Sequence, residues 1–317
     1  MKPNANELSE RSPISSAVWE SASWVATAIV VLGCAVIVGF LLKEGLGSIN
    51  WRFLSTDPNV SILEAGKSGI RVPMAGTLLL IVLSMAFAVP LAVASATYLA
   101  EYMDESRPLT RIVRVGLEVL ASVPSVVFGM FGIAMFSKHA LAFLSSQGAI
   151  GADAAFGRSF LVASIVMGVH VLPFMVKAME EAVRVVPKAF RDAAAGLGIT
   201  KWRALRRVVL PAAAPGLATA VILGMGLVAG DTAIVWMTLG GTVTMGADKW
   251  WLPTNALAVL KGTGSTLTTF TYFTSPVGEG TAPELAFGAA LVLMLIILGL
   301  NIVAVLVGAY GAKHRKS

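Results

Sequence analysis

Two ionisable residues lie inside long apolar stretches of the sequence. Asp231 follows three glycines in the segment 224–232, and His170 lies in the stretch 159–179. In a lipid bilayer an ionisable side chain costs roughly 2.5 to 3.5 kcal/mol on insertion scales and marks a functional site by default. Glycines weaken a helix and expose its backbone groups. Asp231, its neighbour Thr232 and His170 are therefore candidate residues of a substrate pathway.

Each of these residues also has a plainer interpretation. Asp231 at the outer membrane interface would be hydrated and inert, or it would pair with a basic residue of a partner subunit. His170 would be a satisfied polar residue at a helix contact. The stretch Ser122-Val-Pro-Ser125 adds two hydroxyl groups to an apolar segment, and it is typical of either a helix kink or a gate. Ser122 and Ser125 complete the candidate pathway.

The sequence contains none of the motifs or residue spacings that are typical of a catalytic or metal-binding site. It contains no G-x-x-x-x-G-K-S/T phosphate-binding loop for ATP. His139, His170 and His314 lie in different segments, without the spacing of a metal site. Neither a Ser-His-Asp arrangement nor a close pair of intramembrane carboxylates is visible. We predict that the chain is not an enzyme and binds no cofactor or metal of its own.

Membrane-spanning helices are the elements that must hold the candidate residues. The 317 residues are 56% hydrophobic and 13% charged, against about 25% charged residues in an ordinary soluble domain. A spanning helix needs about 20 largely apolar residues. Six stretches qualify, near 22–44, 73–100, 113–136, 159–179, 213–239 and 285–310. We predict an all-α integral membrane protein with an N-terminal segment 1–21, a six-helix domain 22–311 and a tail 312–317.

Lysine and arginine predict the orientation, because basic residues near the ends of spans stay in the cytoplasm. With both termini inside, sixteen of the 24 basic residues lie in inner segments and the remaining eight in outer ones. The net charge of +6 then follows from topology, so we expect contact with membrane lipid and no nucleic-acid binding. The outer loops, about 45–72, 137–158 and 240–284, carry aromatic residues typical of interfacial caps or, alternatively, of docking to an external partner.

The loop 180–211, between the fourth and fifth spans, predicts a short helix on the inner side. Pro187 suits the first turn of that helix. One face carries small or apolar side chains, namely Ala189, Phe190, Ala193 and Ala194. The opposite face carries Lys188, Arg191 and Asp192. A face of small residues permits close approach to another surface, which favours a docking element.

A glycine turn and a second helix follow in the same loop. Gly196 and Gly198 permit the turn, Thr200 is placed to cap the second helix, and Pro211 is placed to end it. The second helix has an apolar face made of Trp202, Leu205, Val208 and Val209. An amphipathic connector lying on anionic lipid is the alternative, but it explains neither the alanines nor the paired glycines.

This loop resembles the E-A-A-x3-G-x9-I-x-L-P segment of ABC importer permeases. The matching residues are Asp192-Ala-Ala-Ala-Gly-Leu-Gly198 and, nine residues later, Val208-Val-Leu210-Pro211, with Asp for the usual Glu and Val for the usual Ile. The resemblance implies a type I ABC importer permease fold in which residues about 187–203 insert into a groove of a cytoplasmic ATPase. It assigns the coupling contacts to Phe190, Asp192, Ala193, Ala194, Gly198, Trp202, Leu210 and Pro211.

Further segments are similar to the permease pair of phosphate importers. They are Asn50-Trp-Arg-Phe53, Gly76-Thr-Leu-Leu-Leu80, Tyr98-Leu-Ala-Glu-Tyr102, Ser122-Val-Pro-Ser125 and Gly230-Asp-Thr232. The stretch Ser265-Thr-Leu-Thr-Thr-Phe-Thr-Tyr272 is more similar to the PstA-type subunit than to the PstC-type. The resemblance implies a permease that moves inorganic phosphate across the bacterial inner membrane. It also implies a PstC-type second permease, two PstB-type ATPase subunits that bind ATP and Mg, and an extracytoplasmic phosphate-binding protein.

One departure leaves the substrate open. Phosphate permeases usually carry an Arg three residues before Gly230, where this chain has Leu227, and Asp231 takes the place of the Glu of their G-E-T motif. An acidic residue alone repels an oxyanion, so either the partner permease supplies a cation or the substrate is another oxyanion, such as molybdate or sulphate. The rival from another class is a secondary transporter or channel, which predicts broken helices in symmetric halves, a pattern not evident in the sequence.

Overall fold

The structure, a computed structural model, describes residues 13–59, 68–104, 106–145, 157–242, 244–245, 249–278 and 280–313. Over these residues every regular element is helical. The helices are α1 (Pro13–Gly45), α2 (Trp51–Ser55), α3 (Arg71–Glu101), α4 (Pro108–Ser122), α5 (Ser125–Phe136), α6 (Phe160–Arg184), α7 (Lys188–Gly196), α8 (Lys201–Ala204), α9 (Leu210–Gly230), α10 (Ala233–Thr238), α11 (Ala256–Lys261), α12 (Leu267–Thr274) and α13 (Pro283–Lys313). The all-α prediction is confirmed. Most of the predicted N-terminal segment, up to residue 12, and the tail from residue 314 lie outside the described residues.

Five helical stretches in the described part of the chain are long and apolar enough to cross a membrane. They are Val18–Ser48, Arg71–Glu101, Phe160–Arg184, Lys201–Gly230 and Pro283–Leu306. A rise of about 1.5 Å per residue makes each longer than the ~30 Å hydrocarbon core. They correspond to five of the six predicted spans.

The predicted third span, 113–136, is not one helix. Its two halves, α4 and α5, meet at 96°. Pro124 explains the break, because its ring disfavours a helical conformation at Val123, whose ψ of 127° is extended. The kink predicted from this stretch is therefore present.

Together, α4 and α5 still follow α6 along most of its length. Arg114 on α4 binds Glu180 near the end of α6, and the Phe128 ring on α5 lies edge-on to His170 near the middle. A Cβ atom built on Gly132 would lie 2.7 Å from a methyl carbon of Val166, still closer to the start of α6. We therefore count the pair as one broken crossing, which gives the six that the sequence predicts.

The predicted fifth span, 213–239, is also interrupted. α9 ends at Gly230, Asp231 is extended with ψ 122°, and the chain turns helical again in α10. At this break the Asp231 side chain accepts a hydrogen bond from the backbone N–H of Ile234, which favours the start of a new helix.

Two predictions about the loop before α9 are wrong. Pro211 does not end a helix, because the backbone is helical from Lys201 to Gly230. A wide π turn over Leu205–Val209 precedes Pro211 and accommodates the missing N–H and the ring of the proline. Thr200 occupies the position before α8, but its side chain makes no capping hydrogen bond.

The core lies where α3 packs against α6 and α6 against α9. Small residues on α3, among them Ala88 and Ala92, are fully buried, and small side chains let membrane helices approach closely. A Cβ built on Gly168 of α6 would lie 2.6 Å from Phe87 of α3. On the other side of α6, a Cβ on Gly224 of α9 would lie 2.6 Å from the Met175 sulfur. Of the three glycines that the sequence associates with a weak helix, Gly224 thus serves close helix packing, whereas a Cβ built on Gly226 or Gly230 would meet nothing within 4 Å.

The outer segment 240–284 is more than an interfacial cap. Within it, α12 is largely buried and begins with a capping box at Thr266. The backbone N–H of Leu267 donates to the hydroxyl of Thr77 on α3 at 2.8 Å. In the first outer loop Trp51 is exposed as predicted, but Phe53 is buried against α12 and α13. The apolar residues of these loops therefore extend the core.

Candidate functional site

The segment α7–α8 projects from one end of the bundle, which we call the α7 end. Pro187 lies just before α7 with ψ 139°, outside its first turn. The chain then turns at Gly198, where φ is +71°, a conformation that glycine adopts without the penalty of a side chain. The predicted helix, glycine turn and helix are all present.

Large apolar side chains are exposed along this segment. The exposed fractions are 50% for Phe190, 79% for Leu197 and 62% for Trp202. Asp192 and Ala193 are exposed beside them. We call these five residues the coupling surface. Exposed apolar clusters mark binding surfaces or lipid contacts, and Leu197 is a member that the sequence patterns did not single out.

Other residues assigned to coupling lie inside the chain. Ala194 is buried, so it supports the packing of α7 and is not available for direct contact. Leu210 is half-buried beside Val183, Val186 and Val209. Pro211, next to Leu210, is half-buried as well. Among the predicted coupling residues, the structure thus separates an outer set from an inner one.

The predicted charged face of α7 is divided in the structure. Lys188 and Asp192 are exposed, but the Arg191 side chain is 25% exposed and forms an ion pair with Glu101. The sequence carries no signal for this contact, because the two residues lie 90 positions apart.

Asp231 lies where α9 ends and α10 begins. Its Oδ1 atom accepts a hydrogen bond from the backbone N–H of Ile234 at 2.8 Å, so the carboxylate caps the short helix α10. Asp231 is also close enough to His170 for the two to interact electrostatically. The break between α9 and α10 therefore leaves the Asp231 carboxylate within electrostatic range of His170.

His170 lies on α6 between two aromatic rings. Its ring centroid is 4.9 Å from that of Phe128 and 6.1 Å from that of Phe174. Its Nδ1 atom is buried and has no hydrogen-bond partner among the described residues, so the satisfied polar contact expected of a structural histidine is missing at that atom. Ser125, one turn before Phe128, is half-buried at the start of α5. By contrast, the exposed Ser122 donates its hydroxyl to the Val119 carbonyl of its own helix at 2.7 Å.

Thr232 lines a cavity of about 340 Å³ that Asp231 does not line. The cavity is also lined by Thr268 and Thr271 of α12 and by apolar residues of α13, among them Leu293. The hydroxyl oxygen of Thr271 is buried without a hydrogen-bond partner in the described part of the chain. Thr268 and Thr271 lie within α12, whereas Thr232 lies in the break between α9 and α10. The sequence patterns identified Thr232 and missed its two neighbours.

Ion pairs concentrate at the α7 end. Glu180 of α6 accepts hydrogen bonds from Arg114 at 2.7 Å and from Arg184 at 3.0 Å. In the turn before α4, the backbone N–H of Ser106 donates to Asp104 and lowers the pKa of that carboxyl group below its ordinary value. No three His, Cys, Asp or Glu side chains of the described ranges are grouped as metal ligands.

Residues 88–314 match the family described as the binding-protein-dependent transport system inner membrane component. The chain is 28% identical to the probable ABC transporter permease protein YqgI of Bacillus subtilis over 276 residues, which cover 85% of this chain and 88% of that protein. It is 30% identical to the phosphate transport system permease protein PstA of Mycobacterium leprae over 244 residues, 75% of this chain and 70% of that protein. The predicted resemblance to PstA-type permeases is confirmed.

Solved structures confirm the predicted fold class. A bacterial ABC transporter involved in the import of alginate superposes with a TM-score of 0.57 at 17% identity, over 92% of this chain and 98% of that chain. The MetNI methionine ABC transporter gives a TM-score of 0.51 at 18% identity, over 75% of this chain and 91% of that chain. The broken third and fifth crossings thus occur within the fold of a type I ABC importer permease. The chain belongs to the family of binding-protein-dependent transport system inner membrane components, the membrane-embedded permease subunits of ABC importers.

Proposed function

We propose that the chain is one of two permeases of an ATP-driven phosphate importer, and that its coupling surface binds a separate ATPase subunit. The observation that carries the proposal is the exposure of Phe190, Leu197 and Trp202 on a segment that projects from the bundle. Burying such side chains in a partner groove would be favourable by roughly 25 cal/mol per Å² of apolar surface. The match of 192–211 to the loop of importer permeases supports the same role.

ATP and Mg would be bound by two partner ATPases, since this chain has no phosphate-binding loop of the kind such motors use. When the ATPases close on ATP they would push the segment 187–203, and the helices would alternate between outward and inward access. The excess of basic residues near α7 and the termini supports a cytoplasmic location for these segments. An extracytoplasmic binding protein would then deliver substrate at the opposite end.

Inorganic phosphate is the proposed substrate, supported by the likeness to PstA. The route would run past the hydroxyl groups of the Thr232 cavity and past Asp231, His170 and Ser125. The half-buried Leu227 leaves the route of this chain without the usual arginine. We therefore propose that the second, PstC-type permease supplies the cation and that Asp231 pairs with it. Molybdate or sulphate is the alternative substrate if no such cation exists.

The test is to purify the tagged chain from its host membrane and identify what accompanies it. We expect a second permease and a P-loop ATPase. Vesicles that hold this complex, supplied with ATP inside and the binding protein outside, should accumulate phosphate, and unlabelled sulphate or molybdate should not compete. Transport by the chain alone would instead support a secondary transporter, and competition by another oxyanion would reassign the substrate.

A further inference from the structure

Arg191 of α7 is held by acceptors that all lie outside α7. Its Nε atom donates to Glu101 Oε1 at 2.8 Å, and an Nη2 hydrogen bond reaches the same oxygen. Nη1 donates to the Val186 carbonyl at 2.6 Å and Nη2 to the Val183 carbonyl at 3.0 Å. One guanidinium group thus binds the last residue of α3 and the carbonyl end of α6.

The chemistry of this contact makes it strong. Arg191 and Glu101 are only 25% and 17% exposed, and a charge-assisted hydrogen bond is roughly twice as strong as a neutral one. The carbonyl groups at a helix end carry the negative end of its dipole, which favours a cation there. Removing Arg191 would leave the Glu101 carboxylate largely buried without its cation.

The contact lies directly behind the coupling surface. Phe190, the preceding residue, is half-exposed on the outer side of α7, whereas Arg191 faces inward. A push against the outer side therefore reaches Glu101 and the end of α6 through the adjacent side chain. The covalent links are less direct, because α7 is joined to α6 through the residues 185–187 and to α8 through the turn at Gly198.

We propose that Arg191 is a positioning residue that transmits the movement of α7 to α3 and α6, the pair of helices at the centre of the core. The proposal rests on the proposed function, since it requires an ATPase at the coupling surface. Because Arg191 makes no contact that holds α7 itself together, its loss would leave the helix and its exposed face intact. Docking and ATP hydrolysis would continue, and transport would be uncoupled from them.

The experiment measures phosphate transported per ATP hydrolysed in vesicles containing the purified complex. For Arg191→Gln we expect this ratio to fall about tenfold, within the range typical of coupling between sites, with the ATPase still copurifying. Arg114→Gln is the matched control, because it removes an ion pair between α4 and α6 at the same end without touching α7. Its ratio should stay close to that of the original chain.

A second pair of variants separates transmission from general damage. If Arg191 and Glu101 act through one contact, Glu101→Ala should lower the ratio on its own but cause no further loss in an Arg191→Ala chain. Glu101→Gln keeps an acceptor of the same shape, so it should lower the ratio less than Glu101→Ala does. It replaces the Arg191 variants in the test if those do not accumulate in the membrane.

The outcomes are distinguishable. An unaltered complex that lacks an ATPase overturns the proposed function, and this proposal with it. If the unaltered complex transports phosphate and the Arg191→Gln complex transports as much phosphate per ATP hydrolysed, only the proposal about Arg191 is overturned. Loss of the ATPase from the Arg191→Gln complex also overturns it, because Arg191 would then act in docking.

Discussion

Gly198 shows how a single residue sets the direction of the coupling segment. Its φ of +71° strains any other residue by about 1 to 2 kcal/mol, although the space around it is open. Gly198→Val should therefore redirect α8 without crowding the core. We expect normal accumulation in the membrane and a loss of phosphate uptake of at least about tenfold.

Gly196→Ala is the matched control for Gly198. Gly196 is also in open space, and it has no positive φ, so an added methyl group is tolerated there. Equal uptake by cells carrying either variant would show that the turn geometry does not matter for coupling.

Asp231 combines a structural and an electrostatic role, and one substitution separates them. Asn at position 231 can still accept the hydrogen bond from Ile234, because Asn and Asp cap helices about equally well. Asp231→Asn therefore removes only the charge. We expect uptake of labelled phosphate to fall at least about tenfold while the protein level stays constant. Unchanged uptake would support the alternative of a hydrated, inert carboxylate.

Residue types alone identified part of this site. Asp231 and His170 were found because charge is costly in an apolar stretch, and in the structure they lie within electrostatic range of each other. The pairing of Arg191 with Glu101 and the convergence of Thr268 and Thr271 on Thr232 were not found. These depend on which helices pack side by side, and the local periodicity of a sequence does not contain that information.

Among the elements, the α7–α8 segment carries the most direct prediction. Leu197→Ser should reduce copurification of the ATPase severalfold, since it removes the most exposed apolar side chain of the coupling surface. Val277→Ser is the control, because Val277 is equally exposed, at 80% against 79% for Leu197, and follows α12 in the outer segment. The measurement is the ratio of ATPase to permease after purification. A similar loss in both variants would indicate a general effect of surface polarity.

Helix breaks were the elements that sequence reasoning handled least well. The apolar runs correctly placed the crossings, and Pro124 indicated the kink between α4 and α5. The interruption after Gly230 was expected only as a weakened helix, and the π turn before Pro211 was not expected at all. Apolar length measures whether a segment fits the bilayer, but the position of a break also depends on local hydrogen bonds such as that from the Ile234 N–H to Asp231.

For the whole molecule, the distribution of basic residues predicts that α7 and the 276–278 turn lie on opposite sides of the membrane. The only cysteine, Cys34, is first replaced by serine. Val277→Cys should then react with a membrane-impermeant maleimide in intact cells, whereas Ala195→Cys, at an exposed position of α7, should react only after permeabilisation. The reverse labelling pattern would place α7 outside and remove it from reach of a cytoplasmic ATPase.

The placement of α1 has a consequence for biosynthesis. α1 packs mainly along α13, for example through Phe40 and Phe287, whose rings lie 5.4 Å apart edge to face. The ribosome makes α13 about 240 residues after α1 ends, which at roughly 5 to 20 residues per second is about 10 to 50 seconds. During that interval the first crossing has only lipid, a chaperone or a neighbouring subunit beside it, so the two ends of the chain join last, after translation of the rest.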